Sequence, residues 1–235
     1  MKPRVFVEPP CDPVVTLDAS RSHHLVRVLR VRVGAAVELF DGTGRVWRGT
    51  VSRASAGGCR IERGSPIGQE APAAIEIHLA PALLKSDAMD RLLRQATELG
   101  AHQIWPLETA RTGMAGKRAR SRYGHWRRII VSACEQSRRA YLPRLNDPKG
   151  FDEFIGAVDR PQMLLLHPAA PPLPRQPRLQ STTVLVGPEG GWTDDELKRA
   201  RDRGIEAFSI GPGILRAETA PLAALAAIRH SWGWP

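Results

Sequence analysis

The sequence predicts an α/β protein in two parts: a small, mostly β module, then a larger domain built on a parallel sheet. Three observations carry this reading. Residues 31–40, 45–52 and 59–63 are β-branched, alternating runs separated by Asp41-Gly-Thr-Gly44 and Ala56-Gly-Gly58, both hairpin signals. Residues 64–74, with Pro66, Gly68 and Pro72, break every periodic pattern and mark the best domain boundary. Beyond them strand and helix patterns alternate, the signature of a parallel sheet with helices on its faces. A chain of 235 residues suits one small and one medium domain, which we place at 1–70 and 74–235.

In the first part, residues 4–8 alternate like a short strand, and Pro9, Pro10 and Pro13 then force an extended turn. Residues 17–29 read as a helix with Ser20 or Ser22 as its cap. Leu25, Val28 and Leu29 fall on one face, while Arg21, His23, His24, Arg27 and Arg30 crowd the other. No carboxylate or cysteine stands at ligand spacing from His23 and His24, so they read as solvated or core histidines whose further use is contact with phosphate.

The second part opens with a strand at 75–82. Ser86 then caps a helix whose apolar stripe is Met89, Leu92, Leu93, Ala96 and Leu99, and Gly100 stops it. After a strand at 103–107, the chain carries Arg111, Lys117, Arg118, Arg120, Arg122, Arg127 and Arg128, interleaved with Tyr123 and Trp126, and runs on as a helix to Arg139. Such a dense run of one sign repels itself, and with aromatics it suits RNA, where arginine pairs with phosphate and rings stack on unpaired bases. A buried strand follows at 163–167, then an extended proline-rich loop at 168–177 and a strand at 183–186 that ends in Gly187-Pro-Glu-Gly-Gly191. Thr193 with Glu196 makes a capping box for a helix that stops at Gly204. The last strand, 207–210, delivers the chain to Gly211-Pro-Gly213, to Arg216 and Glu218, and to an alanine-rich helix from Thr219 to Ile228. Two glycine-proline loops thus sit at the C-terminal ends of parallel strands, where ligands of open α/β sheets bind. A turn of this composition binds through its main chain, because no Cβ holds a partner off.

Composition narrows the partners. With 34 Lys and Arg against 24 Asp and Glu, the formal charge of +10 points to a polyanion, most simply RNA or DNA. Cys11, Cys59 and Cys134 are scattered, with no C-x-x-C pair, which argues for reduced structural thiols and against a disulfide framework or a structural zinc site. No metal-ligand cluster, P-loop lysine or G-x-G-x-x-G is present, so metal chemistry, nucleotide hydrolysis and dehydrogenation find no support. Residues 1–13 hold no apolar h-region and no stretch approaches a membrane span, so a cytoplasmic protein is expected.

Residues 183–228, with V-G-P-E-G-G-W-T-x-x-E-L and I-G-P-G-I-L-R-A-E-T-A, resemble the RsmE family, SPOUT-type methyltransferases that act on N3 of a uridine in 16S ribosomal RNA. Ala96-Thr-Glu-Leu-Gly100, Ala133-x-Glu-Gln-Ser-x-Arg139 and His23-His-Leu-x-x-Val-Leu-Arg30 extend the resemblance over nearly the whole chain. It implies a SPOUT domain with a deep trefoil knot, an N-terminal PUA-like β-barrel and an obligate homodimer. Periodicity implies none of these, and general chain rules make knots close to forbidden. The resemblance also implies S-adenosylmethionine held by loops 165–168, 185–191 and 209–215, which makes Leu165, His167, Leu185, Gly187, Glu189, Gly190, Gly191, Ile210, Gly211 and Leu215 the candidate cofactor residues. Family members usually carry an arginine where this chain has Gly213, a departure that removes a cation beside the cofactor loop and leaves the loop's backbone role untouched.

Uridine N3 carries a proton and is a poor nucleophile at neutral pH, so its methylation needs that proton removed or the developing anion stabilised. Arg216 is the candidate for stabilising negative charge on the base or anchoring a phosphate, and Glu218 for orienting Arg216 or accepting the proton. Glu189 is the rival carboxylate, with loop amides as its other use. Arg21, His24, Arg27, Arg30, Arg118, Arg120 and Arg122 are the candidate contacts to 16S rRNA or the small ribosomal subunit. The alternative from another class is a non-catalytic RNA-binding or ribosome-assembly protein on the same fold.

Overall fold

The β-branched runs of the N-terminal part close onto one another as a sheet. The computed structural model of the chain describes residues 2–157, 162–173 and 180–232. They divide into two units, Met1–Pro72 with Val131–Leu142, and Ala73–Ile130 with Pro143–Pro235.

The first unit holds β1 (Arg4–Phe6), β2 (Val14–Thr16), α1 (Ala19–His23), β3 (Ala36–Phe40), β4 (Arg45–Arg53) and β5 (Arg60–Gln69). The strands form one sheet in the order β1-β3-β4-β5-β2, with β1 parallel to β3 and the other pairs antiparallel. Alternation buries Val37, Leu39, Trp47, Val51 and Ile61 on one face, together with Leu17 and Leu25. The sequence reading ended the last strand at residue 63, but β5 runs on to Gln69, and Pro66 sits at a register shift opposite Trp47. Only residues 60–62 of β5 pair with β2, so the rest of the strand is a sheet edge, where a missing N–H costs nothing.

The helix expected at 17–29 is also different. Asp18, rather than either serine, caps α1 by accepting the Arg21 N–H, and Ser22 is buried, donating to the Leu17 carbonyl and accepting the Cys59 N–H. Residues His24–Val28 then form a π-helical turn closed by Leu29 N–H onto the His24 carbonyl. One extra residue per turn rotates the register, so Leu25 stays buried while Val28 and Leu29 are 58% and 47% exposed.

Residues Val131–Leu142 join this unit because Cys134 and Ala140 pack with Phe6, Phe40 and Val46. Glu135 accepts the Phe6 N–H at 3.0 Å, and burial pushes its carboxyl above the usual range. All three cysteines are free and buried, and burial pushes the Cys134 thiol up to about 12.

The second unit follows the alternation read from the sequence. Its strands are β6 (Glu76–Pro81), β7 (Gln103–Ile104), β8 (Leu107–Glu108), β9 (Arg144–Leu145), β10 (Lys149–Gly150), β11 (Gln162–Leu166), β12 (Ser181–Val186) and β13 (Glu206–Phe208). Six make a wholly parallel sheet in the order β13-β11-β12-β6-β7-β9, while β8 and β10 pair separately. The central strands β6 and β12 read as apolar runs because helices cover both faces.

The helices are α2 (Ser86–Glu98), α3 (Gly116–Ser121), α4 (Tyr123–Ser137), α5 (Phe151–Ile155), α6 (Asp194–Asp202) and α7 (Ala220–Trp232), the second half of α4 belonging to the first unit. α2 starts at Ser86 with Lys85 in the N-cap position, one residue earlier than the capping serine expected. The capping box of α6 forms as read: Thr193 accepts the Glu196 N–H and Glu196 accepts the Thr193 N–H. Leaving the sheet edge at β13, the chain returns as α7 to lie against α2, β6 and β12. Residues 174–177 of the proline-rich stretch lie outside the described residues.

Candidate active site

Three adjacent strands deliver three loops to one end of the sheet. Because β11, β12 and β13 are parallel, their C-terminal ends open together. The loop after β11 is tied to its neighbour by the His167 N–H, which donates to the Phe208 carbonyl at 2.9 Å. Below the loop after β12 lies Trp192, whose indole N–H donates to the Leu166 carbonyl at 3.2 Å; a Cβ on Gly187 would meet that ring at 3.2 Å. Arg111 supports the same loop from outside, donating to the Gly190 carbonyl at 2.7 Å. After β13, Gly211 takes a φ of +148°, a conformation that L side chains rarely adopt. The Arg216 carbonyl then accepts the Thr219 and Ala220 N–H groups and starts α7.

Between these loops and α2 is a cavity of about 1110 Å³. Of the residues singled out in the sequence, His167 lines it from the first loop, and Gly187, Glu189, Gly190 and Gly191 from the second. Ile210, Gly211, Leu215, Arg216 and Glu218 line it from the third. Leu165 and Leu185 do not: their side chains pack in the core with Phe154 and Trp192, and the next residue on each strand, Leu166 and Val186, faces the cavity. Alternation along a strand explains the exchange.

Sequence reasoning missed Lys85, Asp87 and Arg91, which α2 brings to the wall. One signal was available: α2 follows the C-terminal end of β6, the same end of the same sheet. Ile214, which lies within the 209–215 loop read from the sequence but was not singled out, is 89% exposed beside the cavity.

The charges pair unexpectedly. Glu218 forms an ion pair with Arg91 at 3.1 Å. A hydrogen bond from its own backbone N–H holds the Glu218 carboxyl below the usual carboxylate range, with Arg91 and Arg216 adding to this and partial burial opposing it. Among the described residues, the exposed Arg216 guanidinium makes no hydrogen bond or ion pair. The site therefore offers an ionised, held carboxylate next to an uncommitted cation.

The candidate RNA contacts divide in the same way. His24, Arg27 and Arg30 are exposed, whereas Arg21 donates to the Phe6 carbonyl and pairs with Glu135 at 3.6 Å. Arg118 and Arg120 are exposed on α3, but Arg122 donates to both Asp90 oxygens at 3.1 and 3.2 Å, and His125 shares that carboxylate at 2.7 Å. No group of three possible metal ligands occurs among the described residues, and none of their helices is long and apolar enough to cross a membrane.

A parallel sheet with a loop-lined cavity at its strand ends, carried in one chain with a separate β unit, places a ligand site in the second unit, and comparison with known proteins gives its class. A family model for the RNA methyltransferase domain matches residues 71–229, and one for the RNA methyltransferase PUA domain matches residues 17–62. The chain belongs to the ribosomal RNA small subunit methyltransferase E family. It is 37% identical to the Synechocystis protein of that name, over 91% of this chain and 72% of that one. A ribosomal RNA small subunit methyltransferase E from Neisseria gonorrhoeae, solved with bound S-adenosylmethionine, is 32% identical with a TM-score of 0.90 over 99% of both chains. A Legionella pneumophila methyltransferase solved with the same cofactor is 28% identical with a TM-score of 0.92 over the whole of both chains. The fold is the one the resemblance implied, a SPOUT-type α/β domain preceded by a PUA domain.

Proposed function

We propose that this protein transfers the methyl group of S-adenosylmethionine to N3 of a uridine in 16S ribosomal RNA. The observation that carries this is the cavity at the strand ends, with a free Arg216 at its wall and Glu218 held ionised beside it. Its walls fit the cofactor. Leu166, Val186 and Ile210 supply apolar contact for a ring, and the main chain of Gly187 and Gly211 is open to hydrogen bonding.

Bound there, the cofactor supplies an electrophilic methyl group on a sulfonium. What remains for the protein is alignment of N3 and stabilisation of the charge that develops on the base. Arg216 takes the second task. Glu218, with its carboxyl below the usual range, is a weak base for an N–H, since an efficient general base titrates near the working pH. It stays ionised and acts as a negative charge at the cavity wall.

On this reading residues 1–70 form the PUA-like RNA-binding domain and 74–235 the catalytic domain, the protein is a cytoplasmic homodimer, and small-subunit RNA or the subunit itself is its partner. Support for the RNA surface comes from exposed His24, Arg27 and Arg30 in one unit and Arg118 and Arg120 in the other. The direct test is nucleoside mass spectrometry of 16S rRNA, naked and in subunits, after incubation with protein and S-adenosylmethionine. N3-methyluridine is the expected product. Methylation elsewhere, or cofactor binding without transfer, would sink the proposal.

Binding should also follow salt in a residue-specific way. Replacing Arg118 and Arg120 together with alanine should reduce the slope of log affinity against log salt by roughly 0.7 to 0.9 for each phosphate that is no longer neutralised. Arg122→Ala should leave the slope unchanged, because Asp90 already occupies that guanidinium. An unchanged slope in the double variant would remove α3 from the interface.

A further inference from the structure

Arg91 has no place in the reading above, although it lines the cavity and holds the only carboxylate paired within it among the described residues. Its position follows from the helix: Met89, Leu92 and Leu93 turn inward as the buried stripe of α2, which leaves Arg91 on the side facing the start of α7. The two charges are 127 residues apart in sequence and 3.1 Å apart in space. Glu218 is largely covered, with 17% of its side chain exposed, while half of Arg91 is open.

Arg216 stands two residues before Glu218 and acts on the same carboxylate electrostatically, yet its guanidinium makes no ion pair among the described residues. Of the two cations that act on this carboxylate, Arg91 is the one within ion-pair distance. We propose that Arg91 is a positioning residue, occupying Glu218 so that Arg216 is left free to meet the target base. This rests on the methyl-transfer reading above. Without Arg91, Arg216 is the other cation that acts on Glu218, and a guanidinium drawn into that pair is withdrawn from substrate.

The pairing makes Arg91 matter only through Glu218, and a double-mutant cycle reads that dependence. Arg91→Ala should lower kcat on the order of tenfold, a coupling of ordinary size for neighbouring residues, with cofactor affinity by calorimetry and KM for RNA little changed. Arg91→Lys should recover much of the loss, since an ammonium can also pair with the carboxylate. Placed on a Glu218→Gln background, Arg91→Ala should have almost no further effect on kcat. An equal fall in both backgrounds would overturn the proposal by showing that Arg91 acts on the RNA itself, and an unchanged kcat in the single variant would overturn it too. A crystal structure of Arg91→Ala needs no activity and separates this idea from the functional reading. Arg216 within ion-pair distance of Glu218 upholds it, and Arg216 still unpaired overturns it, whether or not the wild-type protein methylates uridine.

Discussion

Arg216→Ala is expected to lower methyl transfer by about 10²- to 10³-fold, the usual effect of deleting a group aimed at charge that develops in the transition state. As N3 attacks, its N–H bond breaks with the proton passing to solvent water, and the negative charge left on the base, until the incoming methyl neutralises it, spreads onto the carbonyl oxygens. Arg216 lines the cavity and its guanidinium has no competing hydrogen bond or ion pair among the described residues, so it is available to meet that charge in a partly closed site, where electrostatic effects are larger than in water. S-adenosylmethionine affinity should be nearly unchanged, because on this reading Arg216 meets the base and not the cofactor. The loss should fall on kcat, since an interaction made only in the transition state lowers kcat and kcat/KM together. The residual rate of the variant should also climb more steeply with pH than the wild-type rate, as the deprotonated fraction of N3 replaces the missing stabilisation. Single-turnover methylation with saturating cofactor measures all of this. A collapse of cofactor binding instead would mean that Arg216 belongs to the cofactor's site, and an unchanged kcat would mean that the charge is met elsewhere.

Parts of this site were legible from the sequence because they rest on local chemistry. The capping box of Thr193 and Glu196 and the glycine-proline loops at strand ends each depend on residues a few positions apart. The π-helical turn at His24–Val28 was not, since an ordinary helical period assigns Val28 and Leu29 to the wrong face. Pro66 suggested a boundary only because nothing local reveals that β5 has no second neighbour there. The joining of Val131–Leu142 to the N-terminal unit and the pairing of Arg91 with Glu218 are products of tertiary contact. Composition and spacing supplied a basic α/β protein with a ligand site; the reaction and its cofactor entered only through the resemblance of residues 183–228 to a known family.

Gly211→Val should weaken S-adenosylmethionine binding by about 5- to 150-fold, the equivalent of the 1–3 kcal/mol that a forced backbone conformation costs. The φ of Gly211, +148°, is open to glycine and strained for valine. No protein atom lies within 4 Å of the position its Cβ would take, so the obstacle is the backbone rather than a clash. The variant must either keep the turn under strain or let it relax, and a relaxed turn moves the main-chain groups that face the cavity. Gly213→Arg supplies the contrast. Gly213 has no positive φ and its Cβ position is equally open, so a side chain can start there without backbone change. Cofactor affinity should therefore survive at position 213 and fall at 211, although both are glycines of one turn lining one cavity. Calorimetry on the two variants, with thermal unfolding as the check on folding, measures the difference. Equal affinities would show that the turn's backbone conformation is not what binds the cofactor, and the main-chain account of this loop would have to be given up.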